Sequence, residues 1–134
     1  MSKTILFQLD EKAKIAVFGG GSWATAIVKI LLNNVEKVGW YVRDTEVADA
    51  LKNEGRNTKY LSSVRFDKSK LVVSSNINEI AEKADVLVFA IPSAFLKESL
   101  QDLDVSLKGK FIVSAIKGII PNDNQTVAEF FNTR

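Results

Sequence analysis

Three consecutive glycines near the start of the chain have the spacing of a phosphate-binding turn. The segment from Gly19 to Ala24 reads GGGSWA and fits the pattern G-x-G-x-x-G/A. In this pattern Gly19 permits a tight turn, Gly21 lets a diphosphate approach the backbone, and Ala24 allows a helix to pack closely on a strand. The helix would offer its free N–H groups and the positive end of its dipole to the phosphates. The alternative is a glycine turn that binds nothing.

A basic and an acidic residue follow the second apolar run of the chain, as Arg43 and Asp44. In dinucleotide-binding folds an acid at this place holds the adenosine ribose, and an arginine accepts a 2′-phosphate. Arg43 therefore either favours NADP or is an ordinary surface arginine. Asp44 either contacts the ribose or caps the next helix.

Two more candidates lie where later strands are expected to end. Phe95, in the segment AIPSAF, falls off the apolar stripe of its predicted helix and either faces a cofactor or is a partly buried aromatic residue. Lys117, in SAIKGI, follows a strand and precedes a glycine. Its ammonium group suits a phosphate or the nicotinamide region, whereas the residues alone favour a surface lysine.

Short apolar runs, which we interpret as buried strands, alternate with amphipathic segments along the chain, at 14–18, 38–42, 71–73, 85–91 and 111–115. This alternation predicts an α/β protein with a doubly wound, Rossmann-type parallel sheet covered by helices on both faces. Right-handed crossovers favour the strand order 3-2-1-4-5. We assign residues 14–134 to a dinucleotide-binding domain and residues 1–13 to an N-terminal extension.

The helices between these strands have recognisable faces and caps. The first is predicted to pack inward through residues spaced i, i+4, i+7 and i+8, namely Trp23, Ile27, Ile30 and Leu31. Asn76 and Glu79 are expected to form a capping box, and Ser93 to cap the fourth helix. Near the end, Val127, Phe130 and Phe131 begin another helix face with little chain left to cover it, from which we infer that the chain is part of a longer protein.

Composition excludes several classes of function. The chain has 134 residues with no cysteine and no histidine, so disulfides, thiolate sites and imidazole catalysis within it are excluded, and we expect no metal site. A net charge of +2 with scattered lysines does not indicate nucleic acid. No apolar run approaches the roughly 20 residues that span a bilayer. A reducing, cytoplasmic setting fits this composition.

Five segments together resemble the bacterial NAD(P)-dependent glycerol-3-phosphate dehydrogenases: FGGGSWATA (18–26), WYVRD (40–44), NTKYL (57–61), AIPSAF (90–95) and SAIKGI (114–119). The resemblance runs from about Lys14 to the carboxyl end. It implies the N-terminal cofactor-binding domain of an enzyme that transfers a hydride between NAD(P)H and dihydroxyacetone phosphate. The product would be sn-glycerol 3-phosphate for phospholipid synthesis.

The same resemblance assigns cofactor contacts to six positions besides the glycines: Ser22, Trp23, Arg43, Tyr60, Phe95 and Lys117. Lys117 would also touch the phosphorylated substrate. The general-base lysine belongs to a second, helical domain that these residues do not contain, so we expect no catalytic residue here. A homodimer of the full-length protein is a further expectation.

The sequence departs from the family's usual turn, GAGSWG, at Gly20 and Ala24. Ala24 is allowed by the fingerprint, whereas Gly20 adds backbone freedom and should modestly weaken preorganisation. Two other functions remain open. One is a different Rossmann-type reductase, related to ketopantoate reductase or 6-phosphogluconate dehydrogenase, against which Lys117 and the GSW turn count. The other is a non-enzymatic module that senses nucleotides and regulates a partner.

Overall fold

The computed structural model describes residues 13–115 and the two short strands at 119–120 and 125–126. Within them, five parallel strands form one sheet in the order β3-β2-β1-β4-β5, which confirms the predicted order. These strands are β1 (Ile15–Phe18), β2 (Val38–Tyr41), β3 (Leu71–Ser74), β4 (Val86–Phe89) and β5 (Phe111–Ser114). Two more strands, β6 (Ile119–Ile120) and β7 (Gln125–Thr126), pair antiparallel in a separate small sheet.

Helices follow the first four strands and cover the sheet on both faces, as α1 (Ser22–Leu31), α2 (Thr45–Glu54), α3 (Ile77–Lys83) and α4 (Ser93–Ser99). Because successive strand residues point to opposite faces, β1 sends Val17 toward α1 and α2, and Phe18 toward α3 and α4. Each face has its own apolar layer, and β4 is buried along its whole length. The α/β prediction with helices on both faces is therefore confirmed.

The predicted inward face of α1 is confirmed for Ile27 and Leu31, which pack partly buried against the core, and wrong for Trp23 and Ile30. Ala24, Thr25 and Val28 are buried, whereas Trp23 and Ile30 are 61% and 62% exposed. The glycine turn decides this rotation, because it brings the small side chain of Ala24 against the end of β1. Trp23, one residue earlier, is then rotated about 100° around the helix axis and points outward.

Two of the predicted caps also differ from the structure. Pro92 occupies the N-cap position of α4, and Ser93 is already helical. Asn76 does cap α3, accepting from the N–H of Asn78 at 3.0 Å. The reciprocal capping-box bond is absent, because the Asn76 N–H donates to the hydroxyl of Ser74 (2.9 Å), which in turn donates to Glu79 (2.7 Å).

No helix in the described part of the chain is long and apolar enough to cross a membrane. The N-terminal residues 1–12 and the predicted helix face at Val127, Phe130 and Phe131 lie outside the described residues.

Candidate functional site

The turn between β1 and α1, residues 19–21 (the glycine turn), begins at a position that admits glycine alone. Gly19 has a φ of +139°, a region that residues with a side chain rarely adopt. A Cβ built there would lie 2.6 Å from the carbonyl oxygen of Ala90, at the end of β4. The Gly19 N–H donates to the carbonyl oxygen of Tyr41 at 3.0 Å, so both neighbouring strands constrain this residue.

The other two glycines have different surroundings. A Cβ at Gly20 would lie 2.9 Å from Cγ1 of Val42, whereas a Cβ at Gly21 would meet no atom within 4 Å. Gly21 therefore borders open space that no neighbouring side chain fills. This is the position that the sequence pattern assigns to close approach of a diphosphate.

The N-terminus of α1 is left ready for an anion. Gly21 is its N-cap and supplies no side-chain hydrogen bond, and no acidic residue stands in the first turn. Within the described residues no hydrogen bond from the N–H of Ser22, Trp23 or Ala24 is present. Unpaired N–H groups at the positive end of a ten-residue helix are a ready site for phosphate oxygens.

Buried side chains bind the carbonyl groups of the glycine turn, on the side away from the open space at Gly21. The indole N–H of Trp40 donates to the carbonyl oxygen of Gly19 at 2.6 Å. The side-chain amide of Asn57 donates to the carbonyl oxygen of Gly20 at 2.9 Å and to the hydroxyl of Thr25 at 3.0 Å. That hydroxyl donates to the carbonyl oxygen of Gly21 at 2.7 Å.

Sequence reasoning missed this set of three side chains, Trp40, Asn57 and Thr25. All three are fully buried. Asn57 stands in a polar stretch that the sequence indicates only as a loop, so no periodic pattern marks it. Only an unexpectedly buried amide, visible in three dimensions, distinguishes it from the asparagines at the surface.

Asn57 also arranges the loop that carries Tyr60. Its side-chain oxygen accepts from the backbone N–H groups of Lys59 (2.9 Å) and Tyr60 (3.1 Å), forming a tight polar turn. The Tyr60 side chain is half-exposed and borders the cleft above the glycine turn.

A cleft of about 330 Å³ opens at the carboxyl ends of β1, β2 and β4. It brings together six of the nine predicted site residues: Gly19, Gly21, Ser22, Trp23, Arg43 and Tyr60. Its walls are completed by Gly20, Tyr41, Ser99 and the segment from Ala90 to Pro92. This is the edge of an open α/β sheet at which ligands generally bind.

The remaining predicted residues lie elsewhere or are not described. Ala24 is buried beneath the turn. Its Cβ lies 3.4 Å from the place that a Cβ on Gly19 would occupy, in keeping with the predicted close packing of the helix on the strand. Phe95 lies on α4, is 56% exposed and does not line the cleft. Lys117 lies outside the described residues. Cofactor contacts by all nine residues stay predictions.

Exposed charged residues, Arg43, Asp44, Lys59 and Glu98, form what we term the rim of the cleft. Arg43 pairs with Glu98 of α4 at 3.1 Å, with more than half of each side chain in solvent. Asp44 caps α2 through the N–H groups of Glu46 and Val47 and also pairs with Lys59 at 2.6 Å. Of the two roles open to Asp44, helix capping is the one observed.

The rim and the cleft wall change the ionisation of three side chains. The hydrogen bond from Lys59 holds the pKa of Asp44 below its usual value, and the same bond raises the pKa of Lys59. Burial raises the pKa of Tyr41, which therefore stays a neutral phenol at the cleft wall. The described residues contain no cluster of metal ligands. The donors and the open space at Gly21 fit a diphosphate group.

Comparison with known proteins gives a consistent set of matches. The family model described as the N-terminus of NAD-dependent glycerol-3-phosphate dehydrogenase matches residues 14–133. The glycerol-3-phosphate dehydrogenase [NAD(P)+] of Chlorobium phaeobacteroides is 37% identical over 117 residues, which are 87% of this chain and 35% of that protein. Its counterpart from Ectopseudomonas mendocina is 34% identical over 111 residues, 83% of this chain and 32% of that protein.

Among solved structures, the glycerol-3-phosphate dehydrogenase of Plasmodium falciparum superposes with a TM-score of 0.70 at 30% sequence identity. The match covers 85% of this chain and 35% of that one. The chain thus spans about a third of the length of the relatives that it matches.

Proposed function

Since the chain belongs to the NAD-dependent glycerol-3-phosphate dehydrogenase family, as its N-terminal part, we propose that it binds NAD or NADP for such an enzyme. The reaction is hydride transfer between NAD(P)H and dihydroxyacetone phosphate, which gives sn-glycerol 3-phosphate for phospholipid synthesis. Family membership counts against a ketopantoate reductase or 6-phosphogluconate dehydrogenase relative.

One observation supports cofactor binding above the others. The N-terminus of α1 has unpaired N–H groups, no capping side chain and no acidic residue, and it opens beside the empty space at Gly21. A side chain that capped this helix would compete with a phosphate for the same donors. The turn is therefore suited to an external anion.

We assign the diphosphate to the N–H groups of Gly20, Gly21, Ser22 and Trp23, which are unpaired within the described residues. We also assign the adenosine 2′ region to Arg43, which follows β2, and to Tyr60 at its border. Phe95 and Lys117 remain proposed contacts, Lys117 toward the substrate as well. The bound nicotinamide supplies the hydride chemistry, while the residues of this chain bind and orient it.

We expect this 134-residue chain to bind the cofactor weakly and to turn over dihydroxyacetone phosphate negligibly. The resemblance assigns the general base and most substrate contacts to a domain that these residues do not contain. A turnover rate typical of ordinary dehydrogenases would contradict this expectation. A nucleotide-sensing module would bind NAD or NADP in the same way. It would differ from the N-terminal part of a dehydrogenase only because the longer protein would not turn over dihydroxyacetone phosphate.

A cytoplasmic location and a homodimer of the longer protein also belong to this proposal. The absence of cysteine is compatible with a reducing compartment. The homodimer rests on the family resemblance.

Titration of NADH and NADPH, followed by tryptophan fluorescence, tests the site. The chain has two tryptophans. Trp23 is exposed beside the turn, whereas Trp40 is fully buried, so we expect saturable quenching that arises mainly from Trp23. Calorimetry on Trp23→Phe provides the control, because binding should persist while most of the fluorescence change disappears. No saturable response to either nucleotide, by fluorescence or by calorimetry, would overturn the proposal.

A further inference from the structure

Each carbonyl group of the glycine turn is held by a different buried side chain. The carbonyl oxygen of Gly19 accepts from Trp40, that of Gly20 from Asn57, and that of Gly21 from Thr25. The three acceptors are consecutive along the backbone, whereas Trp40 and Asn57 come from other parts of the fold. All three donors lie on the protein side of the turn.

Because a peptide group is planar, the same contacts also fix the direction of the N–H groups on the other side of the turn. The structure has no cis peptide bond among its described residues, and in a planar trans peptide the N–H points away from the C=O. When the carbonyl oxygens of residues 19, 20 and 21 point into the protein, the N–H groups of Gly20, Gly21 and Ser22 point away from it. None of these three N–H groups has a hydrogen-bond partner among the described residues.

We propose that Trp40, Asn57 and Thr25 are positioning residues that direct three successive backbone N–H groups toward the bound diphosphate. This role rests on the proposed cofactor function and extends it to residues that do not touch the ligand. Without the side-chain donors the first two peptide planes would be free to rotate, since glycine has few steric restrictions. The third is also held by the backbone N–H of Thr25, which donates to the carbonyl oxygen of Gly21 at 3.0 Å, and the Thr25 hydroxyl reinforces that bond. The cradle is thereby preorganised before the ligand arrives.

Asn57 has the central part in this arrangement. Its amide uses both of its N–H groups, on Gly20 and Thr25, and its oxygen accepts two backbone N–H groups, on Lys59 and Tyr60. These four bonds are the full capacity of an asparagine side chain. Asn57 therefore joins the glycine turn to the loop that carries Tyr60. The relative position of the turn and the loop depends on this one side-chain amide.

Thr25 allows a test that separates positioning from packing. Thr25→Val keeps the shape of the side chain and removes the hydroxyl, whereas Thr25→Ser keeps the hydroxyl and removes a methyl group. We expect Thr25→Val to raise the Kd for NADH about five- to tenfold, and Thr25→Ser to change it less than about twofold. A role in packing alone predicts the opposite order, and that order would overturn the proposal.

Asn57→Asp adds a pH readout. The carboxylate is nearly isosteric but faces the carbonyl oxygen of Gly20 without a donor. We expect a Kd for NADH more than about tenfold above that of the wild-type chain at about pH 8, with the ratio shrinking toward about pH 5 as protonation restores one donor. A ratio that does not vary with pH would contradict positioning by this hydrogen bond.

Asn78→Ala serves as the matched control, because Asn78 also bridges two segments, donating to the carbonyl oxygen of Asp102 (2.9 Å) and accepting from the N–H of Asp104 (2.8 Å). It does not line the cleft. We expect it to lower the urea midpoint of unfolding and leave the Kd for NADH unchanged. All Kd values are taken where circular dichroism shows each variant fully folded.

Inorganic pyrophosphate separates the two proposals. In the wild-type chain we expect it to shift the backbone amide NMR signals of Gly20, Gly21 and Ser22, and in Thr25→Val to shift that of Ser22 less. Binding of NADH by all variants with equal affinity overturns the positioning role and leaves the proposed function intact. Binding of neither NADH nor pyrophosphate by the wild-type chain overturns both.

Discussion

In the glycine turn the polar side chains that hold the backbone are buried, whereas at the rim of the cleft the charged side chains lie in solvent. Trp40, Asn57 and Thr25 are fully buried and satisfied by hydrogen bonds. Arg43 and Glu98 keep more than half of their side-chain surface exposed. The turn offers backbone donors of fixed direction, while the rim offers charged side chains exposed to solvent.

This difference matches what the two regions are proposed to recognise. A diphosphate is common to NAD and NADP, so a rigid backbone cradle suits both cofactors. The 2′-phosphate distinguishes them, and an exposed arginine can accept it without a large change elsewhere in the fold. We therefore expect substitutions in the turn to change the fold or the binding of both cofactors, and substitutions at the rim to change the preference between them.

The largest effect is expected for Gly19→Ala. The new Cβ would lie 2.6 Å from a backbone carbonyl oxygen at a φ of +139°, so we expect a loss of stability of about 2–4 kcal/mol. Urea denaturation measures it. Gly109→Ala is the control, because Gly109 also has positive φ but open space around it, and should lose only about 1 kcal/mol. Equal losses would show that the contact with Ala90 contributes nothing.

Gly21→Ala should separate binding from stability. Its Cβ would enter space that is empty in the protein, so stability should fall by less than about 1 kcal/mol, while the Kd for NADH and NADPH should rise about tenfold. Calorimetry and urea denaturation of one sample give both values. Unchanged affinity for both nucleotides would place the diphosphate elsewhere.

At the rim, Arg43→Ala should raise the Kd for NADPH about tenfold and that for NADH less than about twofold, because only NADPH carries the second anionic group. The difference should decrease with added salt, since the arginine is exposed. Arg56→Ala is the control, because Arg56 also forms an ion pair, with Glu54 at 3.1 Å, and does not line the cleft. An equal loss of affinity for both cofactors would assign Arg43 to the diphosphate instead.

A smaller effect is expected from the charge of Asp44. Because its folded-state pKa lies below the ordinary value of 3.8, the unfolded chain binds protons more readily, and stability must rise with pH through this range. The contribution should be fully present above about pH 4–5 and be lost as the pH falls through the folded-state pKa. Asp44→Asn keeps an oxygen for the cap and lacks this dependence, so the stability of the two proteins should converge in acid. Urea midpoints between neutral and acid pH measure it.

The smallest effect is expected for Gly20→Ala, which introduces the residue usual in the family. The Cβ would approach a methyl group of Val42 to 2.9 Å rather than a backbone atom. Crowding against Val42 destabilises the folded state, whereas alanine reduces the conformational entropy of the unfolded chain. Because these effects oppose each other, the free energy of unfolding should change by less than about 1 kcal/mol. A loss as large as that of Gly19→Ala would show that the turn cannot shift at all.

The sequence alone was sufficient for the sheet and the glycine turn, because both depend on local patterns. Continuous apolar runs predict buried parallel strands, and the handedness of their connections leaves few strand orders. The spacing of Gly19, Gly21 and Ala24 indicates a turn of known geometry. Trp23 and Ile30 were wrongly assigned to the inward face of α1 because they satisfy the helical period as well as the residues that are buried.

What only the tertiary structure decided is which polar groups meet behind the turn. Trp40 and Asn57 are 21 and 37 residues from the carbonyl groups they hold, and no local pattern connects them. Their contacts arise from the packing of β2 and of the loop at Asn57 against α1, since a buried amide must find partners wherever the fold supplies them. Local sequence therefore determines where the glycine turn lies, whereas contacts across the domain determine the direction of its carbonyl and N–H groups.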